Sequence, residues 1–228
     1  MIALLNDTHP LFFSESLSWS PLLPNDPEDG PVFVSPSQVL RGDKRLESIW
    51  CDLASFCHAA NLAFQTGRKM NPNLFQEVLI SAMYRLLFLR LPDSDNKSDQ
   101  TTCVKALHLA MIAFSVTVLL QAQGTEIHFG NLSSHLRNAI LRLDVDDRSQ
   151  RSMHLWILVV ADISAVTDED HHWILSLLQQ LLLPNGVSTW TEMRVLLKNF
   201  LWIDTIHDKG GKGLFDQITA YKRKDHLT

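Results

Sequence analysis

The chain has 228 residues, of which 46% are hydrophobic and 20% are charged, a balance that is ordinary for a globular protein. This length suits one domain with a sizeable core. The formal net charge of −5 is the wrong sign for a chain that embraces the phosphate backbone of a nucleic acid. We therefore expect no direct nucleic-acid binding.

The three cysteines are too few for a binuclear zinc cluster, and no two of them have the CxxC spacing of a zinc finger. Sparse cysteines in apolar segments are typical of reduced thiols, so we expect a cytoplasmic or nuclear protein. The adjacent His171 and His172 point about 100° apart on a helix and cannot easily hold one ion. We predict no metal site and no cofactor.

The N-terminal residues contain neither the basic region nor the cleavage site of a signal peptide. The longest apolar run, residues 106–120, is interrupted by polar side chains and is shorter than the roughly 20 residues that cross a bilayer. We expect a buried core helix there, and a soluble protein without a membrane segment.

Residues 1–45 contain six prolines, which break any long hydrophobic periodicity. They predict an irregular N-terminal arm that wraps the domain. The apolar side chains expected to attach this arm to the core, or to close it over a pocket, are Leu4, Leu5, Phe12, Phe13, Trp19 and Phe33.

Apolar residues at helical spacing predict seven helices in a single helical domain at 46–218, followed by a frayed tail at 219–228. Neither a glycine-rich phosphate loop nor an alternation of strands and helices is present, so the predicted fold class is all-α. Asp52 is predicted to lie off the core stripe of the first helix, and Asn73 to cap the second. The predicted helices lie at 46–66, 73–91, 102–121, 131–143, 152–165, 167–183 and within 188–212.

The last predicted helix has the clearest local signals. Thr189 is followed three residues later by Glu192, the spacing of a capping box at a helix start. Gly210 and Gly211 permit the positive backbone dihedral that stops a helix. One broad face between these signals is apolar, which predicts a buried amphipathic helix that ends at the two glycines.

The residue order in this segment, STWTEMRVLLKNFLWIDTIHDKGGK at 188–212, resembles the C-terminal signature of the fungal-specific transcription factor domain. That domain is the helical regulatory region that usually follows a six-cysteine zinc-cluster DNA-binding domain. Three further blocks, at 61–91, 104–121 and 153–174, resemble family blocks in the family's usual order. The resemblance implies a helical regulatory fold, and the cysteine count predicts that the DNA-binding half is absent.

Arg85, His108 and Asp162 place polar groups within apolar helices, and we predict them as catalytic candidates. A buried guanidinium at Arg85 needs a partner or a polar cavity, so it is either a structural ion pair or a ligand anchor. Asp162 either pairs with Arg85 or, unpaired, has the raised pKa of a general acid or base. His108 is either a hydrogen-bonded core histidine or a proton shuttle.

A pocket for a hydrophobic small molecule is predicted among the aromatic side chains of the helices, where a few polar groups would orient the ligand. The predicted ligand-binding residues are Trp50, Phe56, Tyr84, Phe114, His154 and Trp156.

Two functions are open. One is a transcriptional co-regulator that senses an effector or forms a homodimer, with an exposed apolar interface at Trp173, Trp190 and Trp202. The other is a cofactor-independent enzyme of fungal secondary metabolism that catalyses a dehydration, an isomerisation or a cyclisation such as a pericyclic cycloaddition. The polar groups in apolar helices, the acidic net charge and the expected lack of a DNA-binding module favour the enzyme.

Overall fold

The computed structural model describes residues 18–22, 40, 43–89, 99–121, 130–143, 150–164 and 168–225. Within these residues the chain forms eight α-helices and no strand, which confirms the all-α prediction. A short 3-10 turn, Leu183–Asn185, follows the sixth helix. The helices are α1 Lys44–Thr66, α2 Pro72–Phe88, α3 Asp99–Gln121, α4 Gly130–Ile140, α5 Arg151–Ser164, α6 Asp168–Leu182, α7 Trp190–Leu197 and α8 Asp204–Asp225.

Side-chain caps set the starts of α1 and α2. Asp43 accepts hydrogen bonds from two backbone N–H groups in the first turn of α1. α2 begins with Pro72, and its cap is Asn71 rather than the predicted Asn73. Proline at this position loses no hydrogen bond, because the first N–H groups of a helix have no partner within it.

The two most buried helices, α3 and α5, pack against each other at the centre of the domain. Every residue from 106 to 118 in α3 and from 153 to 161 in α5 is buried. Because these segments are apolar nearly all round, they must be surrounded by other helices. α3 also contacts α2, α4 and α8, while α5 also contacts α4, α6, α7 and α8.

Among the described helices, α3 alone is long and apolar enough to cross a membrane, over Thr102–Leu119. However, 78% of that window is buried inside the domain. The predicted core helix is therefore present, and its length and composition are weak evidence for a membrane span.

The predicted helix at 188–212 is in fact two helices. α7 starts at the predicted capping box, in which Thr189 and Glu192 exchange hydrogen bonds with each other's backbone, and it ends at Leu197. Residues 198–203 then turn the chain before α8 begins. α8 continues as far as Asp225, so the predicted end of the helical region at residue 218 falls inside it.

The two glycines predicted to stop the last helix lie inside α8, so that prediction is wrong. A Cβ atom on Gly211 would lie 2.9 Å from ring carbons of both Trp190 and Trp202, closer than real contacts allow. A Cβ atom on Gly210 would lie 3.2 Å from the Ile163 side chain. Close helix packing, and not helix termination, explains Gly211.

Of the predicted arm at 1–45, residues 18–22, 40 and 43–45 lie within the described residues, and the last two of these already belong to α1. The Trp19 ring packs against Phe88 at the end of α2, with 6.2 Å between ring centroids, so this residue attaches the arm to the core as predicted. The other residues predicted to do so lie outside the described residues: Leu4, Leu5, Phe12, Phe13 and Phe33.

Candidate functional site

Arg85 of α2 forms a buried ion pair with Asp52 of α1. Its Nη2 lies 2.5 Å from Asp52 Oδ2, and neither side chain is more than 1% exposed. Asp52 Oδ1 also accepts a hydrogen bond of 2.7 Å from the backbone N–H of Leu22. The Asp52 carboxylate thus connects α2 and the arm to α1. Because Asp52 is fully buried, the prediction that it lies off the core stripe of α1 is wrong.

This geometry favours the structural alternative for Arg85. Pairing with Asp162 was one possibility, but each of the two residues has another partner, Asp52 for Arg85 and His171 for Asp162. A buried guanidinium that faces a carboxylate is neutralised and held in place. The structural ion pair is therefore the interpretation that the contacts of Arg85 support.

His108 of α3 is a hydrogen-bonded core histidine. Its Nε2–H donates to the backbone carbonyl of Leu86 over 2.8 Å, and the residue is buried. Burial lowers the pKa of His108, although the bond to the carbonyl opposes this effect. The neutral ring joins α3 to α2, which favours the structural alternative over the proton shuttle.

Asp162 lies near the end of α5 in a partly exposed polar cluster. Its Oδ1 is 2.7 Å from Nδ1 of His171 on α6, and Nε2 of the same ring is 2.5 Å from Oε1 of Gln217 on α8. The Asp162 side chain is 11% exposed and that of His171 is 28% exposed. Three helices therefore meet at one histidine.

The Asp162–His171–Gln217 cluster has a chemistry that the interior pairs lack. Nδ1 of His171 faces a carboxylate oxygen and Nε2 faces an amide oxygen, so a ring that carries a proton on both nitrogens would donate to both. Burial raises the pKa of Asp162, while the charge and hydrogen bond of His171 oppose that shift. A carboxylate-oriented histidine with solvent access can exchange a proton with a bound molecule.

Two of the predicted ligand-binding aromatic residues, Trp50 and Trp156, pack against each other in the core. The Trp50 and Trp156 rings meet edge to face with 5.7 Å between centroids, and Phe200 stacks on Trp156 at the same distance. The indole N–H of Trp156 donates to the Leu201 carbonyl. Tyr84 is half-buried, and the fully buried members of the predicted set are Trp50, Phe56, Phe114, His154 and Trp156.

The sequence pattern did not single out His207, which organises the junction between α7 and α8. Its Nε2–H donates to Thr117 Oγ1 over 2.9 Å, and its Nδ1 accepts from the backbone N–H of Ile203 over 3.0 Å. The rings of Phe114 and Trp202 lie 5.1 and 5.0 Å away. Burial lowers the pKa of His207 to about 4, so this ring is neutral.

Further polar contacts hold the same junction. Asn61 of α1 donates to the Trp202 carbonyl and accepts from the backbone N–H of Asp204, both over 2.9 Å. Arg194 bridges Asp204 and Asp208 with contacts of 2.8 and 2.9 Å. The i, i+4 spacing of the two aspartates was the available signal, because it places both carboxylates on one side of α8.

The predicted tryptophan interface is wrong for Trp202, which is only 1% exposed. Trp190 is half-buried and packs against Phe215 of α8. Trp173 is also half-buried, with the Arg137 guanidinium 5.7 Å above its ring. These three side chains therefore support internal helix packing, and none of them is an exposed apolar surface.

Within the described part of the chain, no group of three or more His, Cys, Asp or Glu side chains is placed to hold a metal ion. No family model, no curated protein and no solved structure matches this chain. The likeness to the fungal-specific transcription factor domain therefore stays a prediction from four sequence blocks.

Proposed function

We propose that this chain is a helical regulatory protein of the cytoplasm or nucleus, which acts by contacting other proteins and does not bind DNA itself. The observation that supports this most is the separation of the predicted catalytic residues. Arg85 is engaged by Asp52, His108 by the Leu86 carbonyl, and only Asp162 lies beside a partly exposed titratable group.

A catalytic site needs its acid, base and binding groups within hydrogen-bond reach of one substrate. Arg85 is neutralised at 1% exposure and His108 is neutral and buried, so both serve the packing of α1, α2 and α3. Paired interior polar groups of this kind rigidify a fold and specify its packing. A rigid scaffold is what a protein-contacting regulatory domain requires.

The resemblance of the segment at 188–212 to a regulatory domain also supports the proposed regulatory function. The segment at 188–212 contributes Arg194, Trp202, Asp204, His207 and Asp208 to the α7–α8 junction. The residues on which the likeness to a regulatory domain rests thus have structural roles. The net charge of −5 agrees with a partner other than nucleic acid.

The test is deletion of the coding sequence in the source organism, followed by transcript and metabolite profiling. A regulator predicts that transcripts of a gene set change and that metabolites change with them. Accumulation of one intermediate at unchanged transcript levels would show that the protein acts on the molecule itself, and would overturn the regulatory proposal.

The second candidate is a cofactor-independent enzyme acting on a hydrophobic small molecule, and the Asp162–His171 contact of 2.7 Å favours it. In this alternative His171 exchanges a proton with the substrate while Asp162 orients the ring and balances its charge. Returning Asp162→Asn or His171→Gln variants to the deletion strain separates the candidates. The regulator predicts full rescue by both variants, whereas the enzyme predicts that neither restores the metabolite.

A further inference from the structure

Residues 18–22 of the arm, which we call the strap, lie across the end of the α1–α2 pair. The Trp19 ring packs beside Phe88 of α2, with 6.2 Å between the ring centroids. The Arg45 guanidinium of α1 is 5.6 Å from the centroid of the Trp19 ring, where a cation adds attraction. One side chain of the strap thus contacts both helices.

The strap also reaches the buried ion pair. It bends at Ser20 and again at Leu22, and the backbone N–H of Leu22 donates to Asp52 Oδ1 over 2.7 Å. Asp52 Oδ2 accepts from Arg85 over 2.5 Å. The strap and Arg85 therefore each hold one oxygen of the same carboxylate. With the strap in this position, neither side chain of the pair is more than 1% exposed.

The strap itself is held more weakly than the helices that it covers. Trp19 is half-buried, and the other four residues of the strap are exposed. Segments with few buried contacts open locally at a lower free energy than the core helices do. The strap is therefore the part of this region that we expect to open first.

Part of the cost of opening is offset by polar atoms beneath the strap. Arg45, Ser48 and Asp52 lie on one face of α1, because they follow one another at intervals of three and four residues. Ser48 Oγ and Arg85 Nη1 are buried, and neither has a hydrogen-bond partner among the described residues. Solvent that enters when the strap opens satisfies such atoms, whereas closure desolvates them.

We propose that the strap is a conformational switch that controls the hydration of the Asp52–Arg85 pair. In the closed state, the Leu22 N–H supports the carboxylate and the strap keeps water away from the pair. In the open state, water screens the two charges and weakens the contact that joins α1 to α2. The inference does not depend on the proposed regulatory function.

This coupling is reciprocal. If closure of the strap stabilises the ion pair, the ion pair must stabilise closure of the strap by the same factor. Any change that displaces residues 18–22 is therefore transmitted to the packing of α1 on α2. An arm without this coupling would open and close and leave the two helices unaffected.

The experiment measures native-state hydrogen exchange of the full chain by mass spectrometry, in peptides that cover residues 44–56 and 78–88. Trp19→Ala removes the ring contact and is expected to accelerate exchange in both peptides at least about fivefold. Ser20→Ala, at an exposed position of the strap, is the matched control and is expected to change it less than about twofold. Residues 190–203 report on global stability and are expected to keep their wild-type rates.

A double-mutant cycle separates the coupling from direct packing effects. Leu22→Pro removes the N–H donor and leaves Trp19 in place. It is expected to accelerate exchange in both peptides at least about fivefold in the wild-type background. In the background Asp52→Leu/Arg85→Met, which replaces the ion pair by apolar side chains, the same substitution is expected to have less than about a twofold effect.

Equal acceleration by Leu22→Pro in the two backgrounds would overturn the switch, because the effect would not depend on the ion pair. Wild-type exchange rates in Trp19→Ala, or equal acceleration along the whole chain, would overturn it as well. Circular dichroism checks the folding of each variant. A strap variant that folds only in the apolar background supports the coupling, and one that folds in neither background overturns it.

Discussion

Two contacts between an aspartate and a basic side chain differ in their burial. In the interior, Asp52 and Arg85 are at most 1% exposed, whereas near the surface Asp162 and His171 are 11% and 28% exposed. Removing one partner of a buried pair leaves a charge that neither water nor protein solvates. At a partly exposed pair, solvent screens the charges and replaces a lost partner. The first pair therefore fixes how helices pack, and the second is able to change its protonation.

Two histidines, His207 and His171, repeat this contrast. His207 is fully buried, between Phe114 and Trp202, and donates to Thr117 as a neutral ring. His171 faces Asp162 and Gln217 and reaches solvent. Residue type alone does not separate structural from reactive groups, because the same imidazole serves either role according to its burial and its partners.

The largest expected effect comes from Asp52→Asn, which leaves the buried charge of Arg85 uncompensated. We expect the free energy of unfolding to fall by about 3–5 kcal/mol, measured by urea denaturation followed by circular dichroism. The matched variant at the partly exposed pair, Asp162→Asn, is expected to lower it by less than Asp52→Asn does, because solvent reaches His171.

Equal losses in the two variants would contradict the interior–surface contrast. If Asp52→Asn does not fold, the double variant Asp52→Asn/Arg85→Met decides the question. It removes the unpaired charge and is expected to fold, since replacing both members of a buried pair is far less harmful than removing one.

Acidification is expected to destabilise the protein through His207. The pKa of His207 is about 4 in the folded chain and has its ordinary value of 6.5 in the unfolded chain, so between these values the unfolded chain binds more protons. This contribution is fully present above pH 6.5 and is lost as the pH falls towards 4. The shift corresponds to about 3 kcal/mol in the free energy of unfolding.

Urea denaturation at several pH values between 7 and 4 measures this loss. His207→Gln is expected to flatten the dependence, leaving the part due to His108, whose pKa is also lowered. His171→Gln serves as the exposed control and is expected to keep most of the slope. Unchanged slopes in His207→Gln would show that the buried ring is not the titrating group.

Two glycines of α8 test the same contrast between packed and open positions, and their expected effects are the smallest. A Cβ atom on Gly211 would meet Trp190 and Trp202 at 2.9 Å, whereas one on Gly213 would meet nothing within 4 Å. Gly211→Ala is therefore expected to lower the free energy of unfolding by about 1–3 kcal/mol. Gly213→Ala is expected to raise it by up to about 1 kcal/mol, because alanine is the better helix former. Thermal melting compares the two, and shifts of the same sign would argue against tight packing at Gly211.

Local signals in the sequence predicted much of the helical fold. The capping box at Thr189 and Glu192 correctly marked the start of α7, because the hydrogen bonds that form it join residues only three apart. The long apolar run of α3 correctly indicated a buried core helix. Hydrophobic periodicity and caps are properties of short segments, so they can be predicted from the local sequence.

The candidate site was harder to predict, because its contacts join residues that are far apart in the sequence. The choice of Asp52 as the partner of Arg85 joins residues 33 positions apart, and the contact of Asn61 with Trp202 joins residues 141 apart. The sequence showed that a charge in an apolar helix needs a partner, but the partner it suggested for Arg85 was Asp162 and not Asp52. Only the packing of α1 on α2 selects between them.

From the sequence alone came the all-α fold, the approximate helix positions and the need to satisfy each polar group in an apolar segment. The tertiary structure alone decided that Gly210 and Gly211 lie inside α8 and that Trp202 is buried. It also decided that Asp162 meets His171 at the surface. These outcomes depend on which helices approach one another and how closely, and such distances are set by the packing of the whole core.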